Sequence, residues 1–246
     1  MTDQKVTHMV SGTTTLATGN LTQAQNAPRG VLGVELYGTG ASTPTFQFCP
    51  LLMGALYFDN SAGTYTDARA ELTSRVAADV LTLNSMEAAV DFVYFGCDVP
   101  FRGIYLNVGN TNGTASVLAA TYWDGAAWTG LTETDGTASA GATLAIDNIL
   151  TWTVPTDWAK TSVQSNNLYW VRFAVSVTLD ASVTLVEAIP LSIQTNKAAS
   201  PAATVPWPRY WFDRGVVGGI ESTGDNADTL VCNWICSRRD SVYTAE

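Results

Sequence analysis

The stretch Thr121-Tyr122-Trp123-Asp124-Gly125-Ala126-Ala127-Trp128 decides how this chain folds. Aromatic and β-branched residues lie on both sides of Asp124-Gly125. An Asp-Gly pair supplies a position that tolerates positive φ, so two extended segments meeting there read as a β-hairpin. Working outward, Phe92–Phe95 reads as a strand and Ile104–Val108 alternates apolar with polar. Gly109–Gly113 is a turn rich in Gly and Asn, and Ala115–Trp123 is a long strand leading into the hairpin. Trp128–Leu131 follows, then a turn at Asp135-Gly136 and a strand over Leu144–Val154 that stops at Pro155. Asp157–Lys160 reads as a single helical turn with Trp158 pinned beneath it. Leu168–Val177 and Val183–Ile193 are the next strands. Turn signals recur at roughly 8–12 residues, the spacing of a sandwich or jelly roll. The expected fold is all-β: an antiparallel β-sandwich, jelly-roll-like, centred on 91–178.

Upstream, Val31–Tyr37, Phe46–Cys49 and Leu51–Phe58 read as strands, with Pro50 marking an edge or a break. Asp67–Val80 carries Ala68, Leu72, Val76 and Val80 at four-residue spacing, which favours a short helix capped by Asp67. The competing reading is an extended connector ending in the strand Val80-Leu81-Thr82-Leu83. Residues 1–30 are polar and aperiodic and read as an extended arm. Ala198–Pro208 holds three prolines and reads as a linker. Trp207, Tyr210, Trp211 and Phe212 cluster after it, making 196–246 a candidate docking segment for assembly. The expected layout is an arm over 1–30, a sandwich over 31–195, and a linker with docking segment over 196–246. Tyr-Trp occurs three times, at 122–123, 169–170 and 210–211; in a strand each pair sends one ring to each face.

Composition narrows the function. The 246 residues carry a net charge of −10, with 12 Lys and Arg against 22 Asp and Glu. No basic stripe is present to track phosphates, which argues against nucleic acid and against an anionic membrane surface. Charged residues are 14% of the chain, below the roughly 25% of ordinary soluble domains. A surface of that kind suits contact with other subunits. The start, Met1–Ser11, lacks the apolar core of a signal peptide, so synthesis and residence in a cytoplasm are expected.

No residue set calls for catalysis or a cofactor. His8 is the sole histidine and lies in the arm, which leaves no partner for a Ser-His-Asp or Cys-His arrangement. Glycosidic chemistry needs two facing carboxylates; Asp124, Glu133 and Asp135 fall in or beside turns, where Asp serves the backbone. Cys232 and Cys236 sit in a strand-like run without a second pair, so Cys49, Cys97, Cys232 and Cys236 read as buried thiols rather than a metal site. Asp225-Asn226-Ala227-Asp228 lacks the spacing of a calcium loop. Trp123 and Trp128 flank a tight turn and are candidates for stacking on a sugar ring, against the ordinary use of such rings as core.

Three segments together carry a resemblance: Tyr122-Trp123-Asp124-Gly125 with Trp128, the run Trp152–Thr161, and Leu168-Tyr169-Trp170-Val171-Arg172. With Phe92–Gly96 and Phe101–Tyr105 ahead of them, they resemble a β-sandwich module of tailed-bacteriophage virion proteins over about 65–180. The resemblance implies a non-enzymatic virion protein without cofactor. Its expected role is a capsid decoration or cement protein bound to the major capsid protein and to copies of itself, as a homo-oligomer such as a trimer. A tail, baseplate or fibre component is the alternative. A carbohydrate-binding module, with a host glycan as ligand, is the rival from another class.

Overall fold

The computed structural model describes residues 9–18, 23–26, 31–39, 45–74, 78–83, 85–193, 197–198, 209–211, 217–223 and 228–236. Strands in chain order are β1 Met9–Thr18, β2 Gln23–Asn26, β3 Val31–Thr39, β4 Thr45–Pro50, β5 Gly54–Asp59 and β6 Thr64–Asp67. The helix α1 is Arg69–Leu72. There follow β7 Leu81–Thr82, β8 Phe92–Cys97, β9 Gly103–Val108, β10 Leu118–Trp123, β11 Trp128–Gly130, β12 Glu133–Asp135 and β13 Asn148–Trp152. The last are β14 Thr161–Val163, β15 Asn166–Val175, β16 Thr184–Pro190, β17 Lys197–Ala198, β18 Arg209–Trp211, β19 Val217–Thr223 and β20 Asp228–Cys236. The fold is all-β with antiparallel sheets, as the alternating sequence requires.

Two compact units divide the chain: 50–193, and 1–49 together with 194–246. In the first, one sheet runs β11-β10-β15-β8-β5-β6, with β14 paired to β15; the other runs β12-β13-β9-β16-β7. The chain passes repeatedly between them. Their facing sides bury one core that includes Phe95, Val171 and Phe173 from the first sheet and Ile104, Leu150 and Leu185 from the second. This is the β-sandwich expected from the alternation.

The second unit has two four-stranded sheets, β1-β20-β3-β18 and β17-β4-β19-β2. Val34, Leu36, Phe46, Cys49, Ile220, Val231 and Cys232 are buried in it. β1 pairs with β20 from Met9 opposite Cys236 to Thr18 opposite Asp228, and β2 pairs with β19. This layout differs from the expected arm, 31–195 sandwich and docking segment. The described residues among the first thirty lie in strands β1 and β2, and 31–49 belongs with the chain ends. Sheet pairing joins residues far apart in sequence, so neither strand of such a pair announces its partner locally.

The expected helix over Asp67–Val80 shrinks to the single turn α1. Asp67 closes β6 and its carboxylate accepts the Arg69 N–H at 3.0 Å, but the cap position of α1 is Ala68, without a side-chain cap bond, so the expected Asp67 cap is displaced by one residue. Ala68 and Leu72 are buried as the spacing implied; Val76 lies outside the described residues. Leu81 and Thr82 instead pair with Leu185 and Thr184, as the competing strand reading had it. The helical turn expected over Asp157–Lys160 does not form: a turn at Thr156-Asp157 leads into irregular chain, with Trp158 buried and its indole N–H donating to the Trp170 carbonyl at 3.2 Å. The strand expected over Leu144–Val154 begins only at Asn148. The residues before it are pinned as a loop, because the Thr137 and Thr143 hydroxyls both donate to Asp135 at 2.6 Å.

Candidate functional site

The strands of the first sheet alternate strictly. On β8, Val93, Phe95 and Cys97 enter the sandwich core, so Phe92, Tyr94 and Gly96 face the other way. On β15, Val171, Phe173 and Val175 point in, leaving Leu168, Trp170 and Arg172 outward. On β10, Leu118, Ala120 and Tyr122 point in and Trp123 out. Period 2 therefore places a second aromatic set on the outer face.

Cross-strand register aligns this set. Tyr65 lies opposite Phe58, Phe58 opposite Phe92, and Tyr94 opposite Arg172. Trp123 lies opposite Trp128 across the Asp124-Gly125 turn. The rings touch in a continuous band. Centroids are 4.8 Å apart for Tyr65–Phe58, 6.5 Å for Phe58–Phe92, 6.1 Å for Phe92–Tyr94, 5.7 Å for Tyr94–Trp128 and 5.8 Å for Trp128–Trp123.

Arg172 sits in the middle of this band. Its guanidinium carbon is 4.3 Å from the Phe92 ring centre and 4.5 Å from that of Trp128. Its Nε donates to the Thr121 hydroxyl at 3.0 Å. Two cation–π contacts, with hydrogen bonds to Thr121 and to the Tyr94 hydroxyl, hold the planar group in a single orientation. Among the described residues, Lys160 is paired with Asp98 and no carboxylate pairs with Arg172. Burial pushes the Tyr94 hydroxyl above its ordinary pKa, with Arg172 opposing that shift.

The floor of the band is built by two glycines. Trp170 is fully buried although it faces outward. Its ring lies over Gly54 and Gly96, where an added Cβ would fall 2.3 Å and 2.7 Å from ring atoms. Only the absence of side chains lets the indole lie flat there. Tyr94 and Leu168 close over it. Tyr65 is 37% exposed, and Phe58, Phe92, Trp123, Trp128 and Arg172 are half-buried.

The structure thus brings the two stacking candidates, Trp123 and Trp128, together at one end of the band, edge to face at 69°. Gly125 takes φ +103° in the turn between them. One Asp124 oxygen accepts the N–H of Ala126 at 2.8 Å and of Ala127 at 2.7 Å; the other accepts the Thr129 hydroxyl. These bonds, the Ala127 and Ala126 N–H first, hold the Asp124 carboxyl below the ordinary aspartate range. Asp124 and Asp135 both direct their oxygens into their own loops, while Glu133 stands on β12 opposite Trp152. Phe58, Tyr65, Phe92 and Arg172 were missed in the sequence. The available signal was a lone Arg inside the apolar run 168–175, in outward phase.

The assembly candidates lie in the other unit. Tyr210 packs edge-on against Phe46 at 5.5 Å and Phe48 at 5.3 Å. Trp211 belongs to β18. Trp207 and Phe212 lie outside the described residues, as do His8 and 225–227. Cys49, Cys97 and Cys232 are buried free thiols, and desolvation pushes the Cys232 thiol up to about 12. Among the described residues, no three metal-ligating side chains converge and no helix is long and apolar enough to cross a membrane. A cleft of about 220 Å³ is lined in part by Asp67, Glu71 and Thr82, and one Glu71 oxygen is buried without a hydrogen bond.

No protein-family model matches the chain, and no curated protein matches it in sequence.

Proposed function

We propose that this chain is a non-enzymatic structural protein of a tailed-bacteriophage virion, an accessory protein that decorates the capsid shell alongside the major capsid protein. One observation carries the reading: the chain ends, 1–49 and 194–246, form a second β unit of their own, separate from the 50–193 sandwich in its contacts. A chain with two such units offers separate surfaces to separate neighbours. Its low content of charge suits surfaces covered by other subunits rather than water. The segments that carry the virion-module resemblance, around Tyr122, Trp152, Trp158 and Tyr169, meet as core rings in the sandwich. They act as scaffold, which fits a role as shaped material.

Quantitative proteomics of purified virions tests the proposal. Copy number comparable with the major shell protein is the expected result. A few copies per particle would place the protein in the tail, baseplate or fibre, and absence from virions would end the structural reading.

A second reading, a carbohydrate-binding module, is favoured by the half-exposed rings of Trp123 and Trp128 at the end of the outer band. Exposed aromatic faces pack on the C–H-rich face of a sugar ring. Trp123→Ala with Trp128→Ala, read on a glycan array, tests it: retained binding would remove these residues from the site.

A further inference from the structure

We infer that the outer aromatic band of the 50–193 sandwich binds a saccharide that carries a carboxylate, with Arg172 receiving the charge. The inference rests on the carbohydrate-binding reading and adds to it the ligand class and the residue that selects it.

The first ground is the state of Arg172. The chain has 22 acidic residues for 12 Lys and Arg, so carboxylates are plentiful. Yet among the described residues none pairs with Arg172. Phe92 and Trp128 cover the guanidinium, and Thr121 holds Nε. The Tyr94 hydroxyl also hydrogen-bonds the group, and its remaining N–H donors have no carboxylate partner among the described residues. A guanidinium ordered in this way binds a carboxylate through two parallel hydrogen bonds with little further loss of side-chain freedom.

The second ground is area. Six side chains offer surface here: Tyr65, Phe58, Phe92, Arg172, Trp128 and Trp123. Tyr65 is 37% exposed and the others less. Taking ~250 Å² for a whole large aromatic side chain, the band offers about 550 Å² at most. A standard protein interface needs roughly 800 Å² from each partner. Added strands have little to pair with, since the outermost strands β6 and β11 have four and three residues. A ligand of one to three sugar rings fits the area, and its apolar ring faces match the indoles beside the arginine. Asp124, next to Trp123, turns both carboxylate oxygens into its own loop and leaves the approach to Arg172 to the ligand.

The test is titration of the full chain with a panel of galacturonate, glucuronate and sialylated oligosaccharides. Their methyl esters, neutral oligosaccharides and an oligoglutamate peptide serve as comparators, and isothermal calorimetry is the readout. At least one acidic saccharide is expected to bind, with tenfold or greater loss on methyl esterification. Arg172→Gln should lose that binding, and Arg172→Lys should recover part of it. Circular dichroism of both variants shows whether the sheet is intact. Binding of neutral saccharides alone would overturn the inference while leaving the carbohydrate reading standing. Equal binding of acid and ester, or unchanged affinity in a folded Arg172→Gln, would overturn it too. Binding of oligoglutamate as tight as that of the sugars would assign the band to an acidic protein segment instead. No binding across the panel would remove both readings.

Discussion

The two faces of the sheet β11-β10-β15-β8-β5-β6 are built from the same residue types and serve opposite ends. Inward, Val93, Phe95, Val171 and Phe173 are buried against the second sheet. Outward, Phe58, Phe92, Trp128 and Arg172 form a half-exposed band over a small buried core of Tyr94, Leu168 and Trp170. Adjacent residues on one strand, Phe92 against Val93 or Arg172 against Phe173, divide between these roles. Aromatic content alone does not mark a core. What separates the faces is the second sheet of the 50–193 unit, which packs on the inward one.

The largest expected effect tests the inward face. Phe95 is fully buried and its ring lies 5.3 Å from that of Phe173. Phe95→Ala should cost about 3–5 kcal/mol in denaturant unfolding, from lost burial and the cavity left behind. A cost below about 1 kcal/mol would mean the inner face is not the principal core. Next comes Asp91, buried beside the inward Tyr57. Its carboxylate accepts the Tyr57 hydroxyl at 3.1 Å and the N–H groups of Asn60 and Glu87 at 2.9 Å and 2.8 Å. Asp91→Ala strands the Asn60 and Glu87 N–H groups, while Tyr57 keeps the Leu83 carbonyl at 2.9 Å, and should cost about 1–3 kcal/mol by the same measurement.

Gly54→Ala sharpens the comparison from the other side. The new methyl meets the Trp170 ring at 2.3 Å, and a fully buried indole has nowhere to move freely. A loss of about 1–3 kcal/mol is expected from overpacking. An unchanged thermal midpoint would show that the outer face lacks a rigid core. Phe92→Ala, in contrast, removes a half-exposed ring and one cation–π contact, and should cost about 1 kcal/mol. If it matched Phe95→Ala, the distinction between the faces would fail.

The smallest effect is pH-dependent and lies in the turns. Hydrogen bonds hold Asp59, Asp124 and Asp180 below the ordinary aspartate range, that of Asp180 coming first from the Thr114 hydroxyl and then from the Gly113 N–H. Because the folded values are depressed, their contribution is complete above the unfolded value of about 3.9. It is lost as pH falls from there through the folded values. Stability measured from pH 6 down to pH 2 should decline only at the acid end, and Asp124→Asn should shrink that decline. These carboxylates are solvent-facing, so the change is small.

Local chemistry made much of the fold legible. Asp124-Gly125 marked its turn because Gly125 needs φ +103°, a value other residues adopt at a cost. Pro50 marked the break that falls between the two units. The inward and outward phases of β8 and β15 follow from alternation once the strands are known. Helix spacing misled at Asp67–Val80: α1 ends at Leu72 with Thr73 as its cap, and Leu81 and Thr82 beyond it pair with β16. At the candidate site, Trp123 and Trp128 were visible from their flanking position. Arg172, Phe92 and Phe58 were not, since their proximity arises from the registers of β5, β8 and β15.

By itself the sequence determined the period-2 pattern, the turns and hence the all-β class. These depend on interactions within a few residues, which any local segment carries. Tertiary structure alone decided that 9–18 pairs with 228–236, that Trp170 is buried over Gly54 and Gly96, and that Arg172 stands between Phe92 and Trp128. Those facts depend on which strands become neighbours, and neighbours in a sheet are chosen by the burial of whole faces rather than by adjacent residues.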